Sequence, residues 1–332
     1  MTERLEQLDY TQKMARYGYS LYCEGNHPKD LIEQAVMAED AGFDFLVISD
    51  HYHPWLPNQE NSGFAWSILG AVAQATTKID LATMVTCPIM RYHPAIVAQM
   101  AATMAVISDD RFTLGLGAGE RLNEHVVGLG WPMAKERHLM LREAIEIIAD
   151  LWGGEYVTYH GDYYQVDDAR IFDLPDQEIN TFLAAGGPSA AALAAELTDG
   201  ICMTEPDDKL VEVYKEADGD ADNIWGQVVI GWDPDEKTAL QHVYEQFRFA
   251  VGGWKVQSEL PNPAHFAAAT KNVKPYDLAS LISAGPDAKK HLDAMDKYLD
   301  IGVANLAIAY PGDKVESFME FWAEKLRPKL RN

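Results

Sequence analysis

The feature that most constrains this chain is a repeated alternation of short apolar runs with helical signals. Tyr17–Tyr22 is an apolar-aromatic run, followed by a helix signal from Pro28 to Ala41 that ends at Gly42. Phe43–Ile48, Ile79–Thr86, Arg111–Leu116, Thr181–Ala185, Gly200–Met203, Gln227–Trp232 and Val303–Ala309 read as seven further strands. Their near-continuous apolar character is that of parallel strands covered on both faces. Between them lie the helix candidates Pro94–Val106, Glu136–Trp152 (with Leu139, Ile145, Ile148 and Leu151 as core candidates), Ser189–Leu197 and Asp313–Leu326. Tyr156–Tyr159 and Tyr163–Val166 read as a hairpin set outside this alternation. Eight strands alternating with helices predict an α/β fold closed as a single (β/α)8 TIM barrel with insertions. The length of 332 residues accommodates one such domain over 1–332, with Thr238–Ser280 as an insertion after the seventh strand.

Composition narrows the function classes. A net charge of −24 repels nucleic acid and anionic membranes, so neither is an expected partner. Asp-rich stretches at Asp199–Asp208 and Asp218–Asp222 favour adaptation to high salt, where screening relieves self-repulsion. No apolar run is long enough to span a bilayer, and Met1–Gln7 carries no apolar signal-peptide core. Cys23, Cys87 and Cys202 are widely separated, which fits a reducing, cytoplasmic setting.

In a TIM barrel the chemistry gathers at the C-terminal strand ends. The unusual polar residues of this chain do follow the strands: Cys23-Glu24 after the first, Ser49-Asp50-His51-Tyr52-His53-Pro54-Trp55 after the second. Gly117-Ala118-Gly119-Glu120-Arg121-Leu122-Asn123-Glu124 follows the fourth and Ala184-Ala185-Gly186-Gly187-Pro188 the fifth. A histidine among carboxylates suits general acid–base work. Trp55 suits a stacking wall for a planar ring. Gly186-Gly187 opens a helix, where backbone amides and the dipole favour an anion such as phosphate. Gly115-x-Gly117-x-Gly119 fails the dinucleotide spacing, because Glu120 stands where the last glycine belongs. His51-x-His53 would need further metal ligands from later strand ends; no histidine stands between His160 and His242, and the fifth and eighth strands end in Ala-Gly-Gly and Tyr-Pro-Gly, so no metal is expected.

Taken in order, Ser49-Asp50-His51-x-x-Pro54-Trp55, Arg91-Tyr92-x-Pro94-Ala95, Gly117-x-Gly119-Glu120-x-Leu122-Asn123-Glu124, Gly161-Asp162-Tyr163-Tyr164 and Ala184–Pro188 resemble the luciferase-like superfamily. Within it they resemble deazaflavin (F420)-dependent glucose-6-phosphate dehydrogenase and its relatives. The resemblance implies a TIM barrel, a homodimer, a small-molecule substrate and coenzyme F420, with hydride moving between the coenzyme and a C–OH carbon. It implies catalytic roles for His51 (the base at the substrate hydroxyl), Glu120 (the acid serving the ring nitrogen), Trp55 and Glu24. It implies coenzyme contacts at Asp50, Met84, Val85, Gly119, Asn123, Gly186 and Gly187, and a cis Met84–Val85 peptide. Where those relatives grip the substrate phosphate, this chain carries Glu205-Pro206-Asp207 and Leu278-Ala279-Ser280, so a non-phosphorylated alcohol, aldehyde or sugar is the expected substrate. Lys255, Lys271 and Lys274 are the basic residues that could substitute. The alternatives are an FMN-dependent monooxygenase on the same barrel and a non-catalytic coenzyme-binding barrel.

Overall fold

The computed structural model describes residues 14–330, so the reading of Met1–Gln7 lies outside the described residues. The strands in chain order are β1 (Arg16–Leu21), β2 (Phe45–Ile48), β3 (Asp80–Thr83), β4 (Phe112–Leu116), β5 (Val157–His160), β6 (Gln165–Ala169), β7 (Thr181–Ala184), β8 (Gly200–Met203), β9 (Ile224–Gly231), β10 (Ser283–Ala284) and β11 (Asn305–Ala309). Parallel pairing runs β1–β2–β3–β4–β7–β8–β9–β11, and β11 returns to β1, which closes an eight-stranded barrel. The fold is a TIM barrel, as the alternation predicts. β5 and β6 form a separate antiparallel hairpin.

The barrel interior holds Phe45, Val47, Ala82, Phe182, Cys202, Trp225 and Ala307. Alternate strand residues point outward into a larger core beneath the helices, which includes Leu46, Ile48, Leu81, Leu114 and Leu183. Parallel strands apolar on both faces follow from this double burial. The helix signals correspond to Pro28–Ala41, Pro94–Ile107, Ala134–Trp152 and Pro188–Leu197. Gly42 adopts φ 82° and caps the first of these, a left-handed conformation that glycine adopts without a Cβ penalty.

Several expectations are corrected. Leu139 is exposed, because the buried face of its helix carries Leu141, Ala144, Ile145, Ile148 and Leu151 and Leu139 falls out of that 3.6-residue phase. The third strand ends at Thr83 rather than Thr86, since the Met84–Val85 peptide is cis and only a single bridge, Thr86 to Leu116, continues the ladder. Ser283–Ala284 adds a short strand beside β9 that the sequence did not announce.

The stretch between β9 and β11 carries the helices Glu236–Phe247, Trp254–Gln257, Pro263–Ala269 and Pro275–Leu278 before the outer helix Ala288–Leu299. Residues 245–260 cross the barrel mouth as a strap. At one end Asn58 Nδ2 donates to the Glu245 carbonyl at 3.0 Å and Arg248 Nη2 to Asn58 Oδ1 at 2.9 Å. At the other end Arg121 N donates to the Ser258 carbonyl at 3.0 Å. Trp254 lies against Gly186, so closely that a Cβ there would come within 2.6 Å of its ring.

Candidate active site

The ends of β1, β2 and β4 bring three side chains together. Glu24 follows β1, is fully buried, and its Oε1 is ion-paired with His51 Nδ1. Its other oxygen accepts from Ser49 Oγ at 2.7 Å, and that hydroxyl in turn accepts from Cys23 N at 3.1 Å. On the opposite side of the imidazole, Glu120 Oε1 stands 3.8 Å from His51 Nε2. Asn123, one turn into the short helix Arg121–Glu124, donates from Nδ2 to Glu120 Oε1. Its Oδ1 accepts from Tyr52 N and His53 N, both at 2.8 Å. Asn123 therefore ties the loop that carries His51 to the carboxylate that faces it.

Burial pulls the His51 pKa down, but the Glu24 carboxylate, its hydrogen bond and Glu120 outweigh burial and raise it to about 9. Burial acts to raise the Glu24 pKa, yet the paired imidazolium and its hydrogen bonds hold it below the ordinary value. The pair is therefore imidazolium and carboxylate at neutral pH. The His51 and Trp55 rings pack edge to face, with centroids 5.0 Å apart and planes at 81°. Trp55 stacks on Phe249 of the strap at 4.6 Å and 11°, and meets Phe266 edge-on at 5.2 Å. The wall is thus built by two distant segments of chain.

Asp50 lies beneath this group, almost fully buried. Its Oδ1 accepts from Arg91 Nη2 at 3.1 Å and Tyr92 OH at 3.0 Å, and its Oδ2 from Trp66 Nε1 at 3.2 Å and Thr86 Oγ1 at 2.8 Å. A carboxylate has about four acceptor directions, so these donors occupy it fully. Arg91 also binds Glu124, with its backbone N donating to Oε2 at 3.0 Å and Nε 3.5 Å from Oε1. Burial raises the Glu124 carboxyl to about 7 against the pull of Arg91. Sequence reading quoted Arg91 and Glu124 within motifs but gave neither a task; their pairing across 33 positions has no local signal.

The glycines shape close backbone approaches. A Cβ at Gly117 would meet Val85 Cγ2 at 2.6 Å, and one at Gly119 (φ 68°) would meet Cys87 Sγ at 2.6 Å. Gly187 faces open space at the start of the helix Pro188–Leu197. His53 is turned away from His51, its Nδ1 being 3.0 Å from the Leu122 carbonyl. Lys255, Lys271 and Lys274 are exposed, and Leu278 is buried in the cluster containing Trp55.

The family model for luciferase-like monooxygenases matches residues 10–305. The F420-dependent glucose-6-phosphate dehydrogenase of Microbacterium testaceum (strain StLB037) is 34% identical over 331 residues, covering 95% of this chain and 97% of that protein. The solved structure of an F420-dependent secondary alcohol dehydrogenase in complex with an F420-acetone adduct superposes with a TM-score of 0.88 at 28% identity, covering 96% of this chain and all (100%) of the other. The coenzyme F420-dependent tetrahydromethanopterin reductase from Methanopyrus kandleri shares the fold, with a TM-score of 0.76 at 23% identity over 96% of this chain and 100% of that one. The chain belongs to the luciferase-like monooxygenase family, and within it to the group of relatives that includes the F420-dependent glucose-6-phosphate dehydrogenases.

Proposed function

We propose that the protein is a coenzyme F420-dependent oxidoreductase that moves hydride between the coenzyme and the C–OH carbon of a small neutral alcohol, aldehyde or sugar. The observation that carries this reading is the histidine held between two carboxylates, beside an aromatic wall at the barrel mouth. The residues fit a flat, phosphate-bearing coenzyme. Gly117 and Gly119 let the β4 loop pack directly on Val85 and Cys87, and Gly187 faces open space at a helix start, where backbone amides favour a phosphate. Among the described residues the cis Met84–Val85 peptide, Gly119, Asn123, Gly186 and Gly187 would hold the coenzyme. When bound, the deazaflavin supplies a two-electron hydride donor or acceptor.

His51 moves the substrate proton. In its resting charge state it donates to a carbonyl oxygen, and after losing that proton to solvent it accepts one from an alcohol. Glu24 keeps the imidazole protonated and oriented, Trp55 supports the reacting carbon, and Glu120 serves a ring nitrogen of the coenzyme. Asp50 acts as a positioning residue for the His51 loop, since its oxygens are taken by Arg91, Tyr92, Trp66 and Thr86. A neutral substrate is supported by the exposed Glu205 after β8, the buried Leu278, and the absence of any lysine of the strap region from the buried set. We place the enzyme in the cytoplasm as a homodimer. All three cysteines are free and buried, and among the described residues no helix is long and apolar enough to cross a membrane.

A fluorescence titration with F420 and, separately, with FMN tests the reading. Tight binding of F420 with weak or no binding of FMN is expected. Preference for FMN would overturn it in favour of an oxygen-activating monooxygenase.

A further inference from the structure

Parallel register pairs Leu21 with Ile48, so Ser49 stands one step past β2, level with the first residues after β1. Its backbone N still donates to the Leu21 carbonyl at 3.4 Å, and its side chain meets Cys23-Glu24. Cys23 N donates to Ser49 Oγ at 3.1 Å, and Ser49 Oγ donates to Glu24 Oε2 at 2.7 Å. A serine hydroxyl has one proton to give and two lone pairs that accept. The Cys23 amide engages a lone pair, which leaves the single proton for the carboxylate. The direction of the Ser49–Glu24 bond is thereby set.

That direction also places the protons of the Glu24–His51 pair. A proton on Glu24 Oε2 would turn the hydroxyl into a double acceptor and drive its own proton off the carboxylate, losing a charge-assisted bond. A proton held by the pair therefore lies between Oε1 and His51 Nδ1. Nδ1 keeps its N–H when the imidazole is neutral, and Nε2 is left as the atom that gives and receives. Nε2 is the nitrogen that faces Glu120, 3.8 Å away. The other ionisable groups around the pair do not supply this constraint. Burial pushes the Tyr22 hydroxyl and the Cys23 thiol up, so both stay neutral. Arg91 acts on His51 against the two carboxylates, and Asp50 is occupied by Arg91, Tyr92, Trp66 and Thr86.

We propose that Ser49 is a positioning residue for proton transfer: its hydroxyl, oriented by the Cys23 amide, holds Glu24 as a carboxylate and so commits His51 to work through Nε2. The relay stands on hydrogen-bond geometry alone. Only its use in a hydride-transfer reaction rests on the F420 reading.

The test follows the ring nitrogens of His51 by NMR in nitrogen-15-labelled protein without coenzyme, the signal being assigned by its loss in H51Q. Wild type, S49A, S49T and S49C are compared. Wild type should keep Nδ1 protonated throughout, with Nε2 titrating near about 9. In S49A the midpoint should fall by about one unit or more, the tenfold change that a hydrogen bond to a charged group sustains. The neutral tautomer should then become mixed. The pH breakpoint of kcat/KM with F420 should move down with the midpoint, and S49T should restore both. S49C, a weak donor of similar size, should fall between. A wild type whose neutral His51 carries its proton on Nε2 overturns the proposal. So does a folded S49A with the wild-type midpoint and tautomer, which leaves Ser49 as a joint between two strand ends. Should S49A fail to fold, S49C carries the same decision, and an unchanged midpoint and tautomer there overturn it. A protein that transfers no hydride to or from F420 sinks the functional reading alone, since the NMR titration needs no coenzyme and still decides the relay.

Discussion

Replacing Glu24 with Gln isolates what sets the charge of His51. The imidazole is largely buried, its side chain 14% exposed, and burial by itself would push its pKa below 6.5. The rise to about 9 is produced by the Glu24 carboxylate first and by Glu120 at 3.8 Å second. A rise from 6.5 to about 9 corresponds to about 3 kcal/mol of preference for the charged form. At pH 7 only about 1% of wild-type His51 is then neutral. Carbonyl reduction, which needs the proton, should be flat across neutral pH and fall above about 9, while alcohol oxidation should climb with pH to the same point. In E24Q burial persists and the main opposing charge is gone, so both breakpoints move down to 6.5 or lower. The assay is the pH dependence of kcat/KM in each direction, followed through F420 absorbance, with the breakpoint rather than the rate as readout. The same coupling appears in stability. The folded pKa is raised above the unfolded value, so the contribution is complete below pH 6.5 and is lost as pH rises through about 9. Wild type should lose up to about 3 kcal/mol across that window in urea titrations, and E24Q little or none. A breakpoint that stays near 9 in E24Q would refute the assignment of Glu24 as the residue that charges His51.

Three further outcomes follow from the packing. Gly119→Ala places a Cβ 2.6 Å from Cys87 Sγ at φ 68°. It should cost about 2 kcal/mol or more in denaturant unfolding and weaken coenzyme binding, whereas an unchanged melting curve would mean the β4 loop yields easily. Asp50→Asn leaves Arg91 with Glu124 as its remaining carboxylate in a buried setting, and should cost about 3–5 kcal/mol with kcat falling more than KM rises. A net charge of −24 predicts a melting temperature that rises steeply between about 0.1 M and about 1 M salt, as screening shortens from about 10 Å to about 3 Å. A flat salt response would dismiss the high-salt reading.

Much of this protein was legible along the chain. The eight barrel strands, the hairpin outside them, and the polar strand ends carrying Glu24, His51, Trp55, Glu120 and Asn123 all came from apolar patterning and local motifs, because those signals depend on near neighbours. Tertiary structure alone decided which of these residues meet. Glu24 and His51 lie 27 positions apart and Glu120 a further 69, and only closure of the barrel sets them around one imidazole. It also decided charge state, since a pKa depends on burial and on carboxylates reached through space. Asp50 is expected as a coenzyme contact from its place beside His51, and only the fold brings its carboxylate the four donors Arg91, Tyr92, Trp66 and Thr86. The strap shows the same division most plainly. Its composition marked residues after β9 as an excursion, but only the fold laid Phe249 on Trp55, Trp254 on Gly186 and Glu259 beside Arg137, because contact between distant segments is set by where the barrel ends them and not by any period in the sequence.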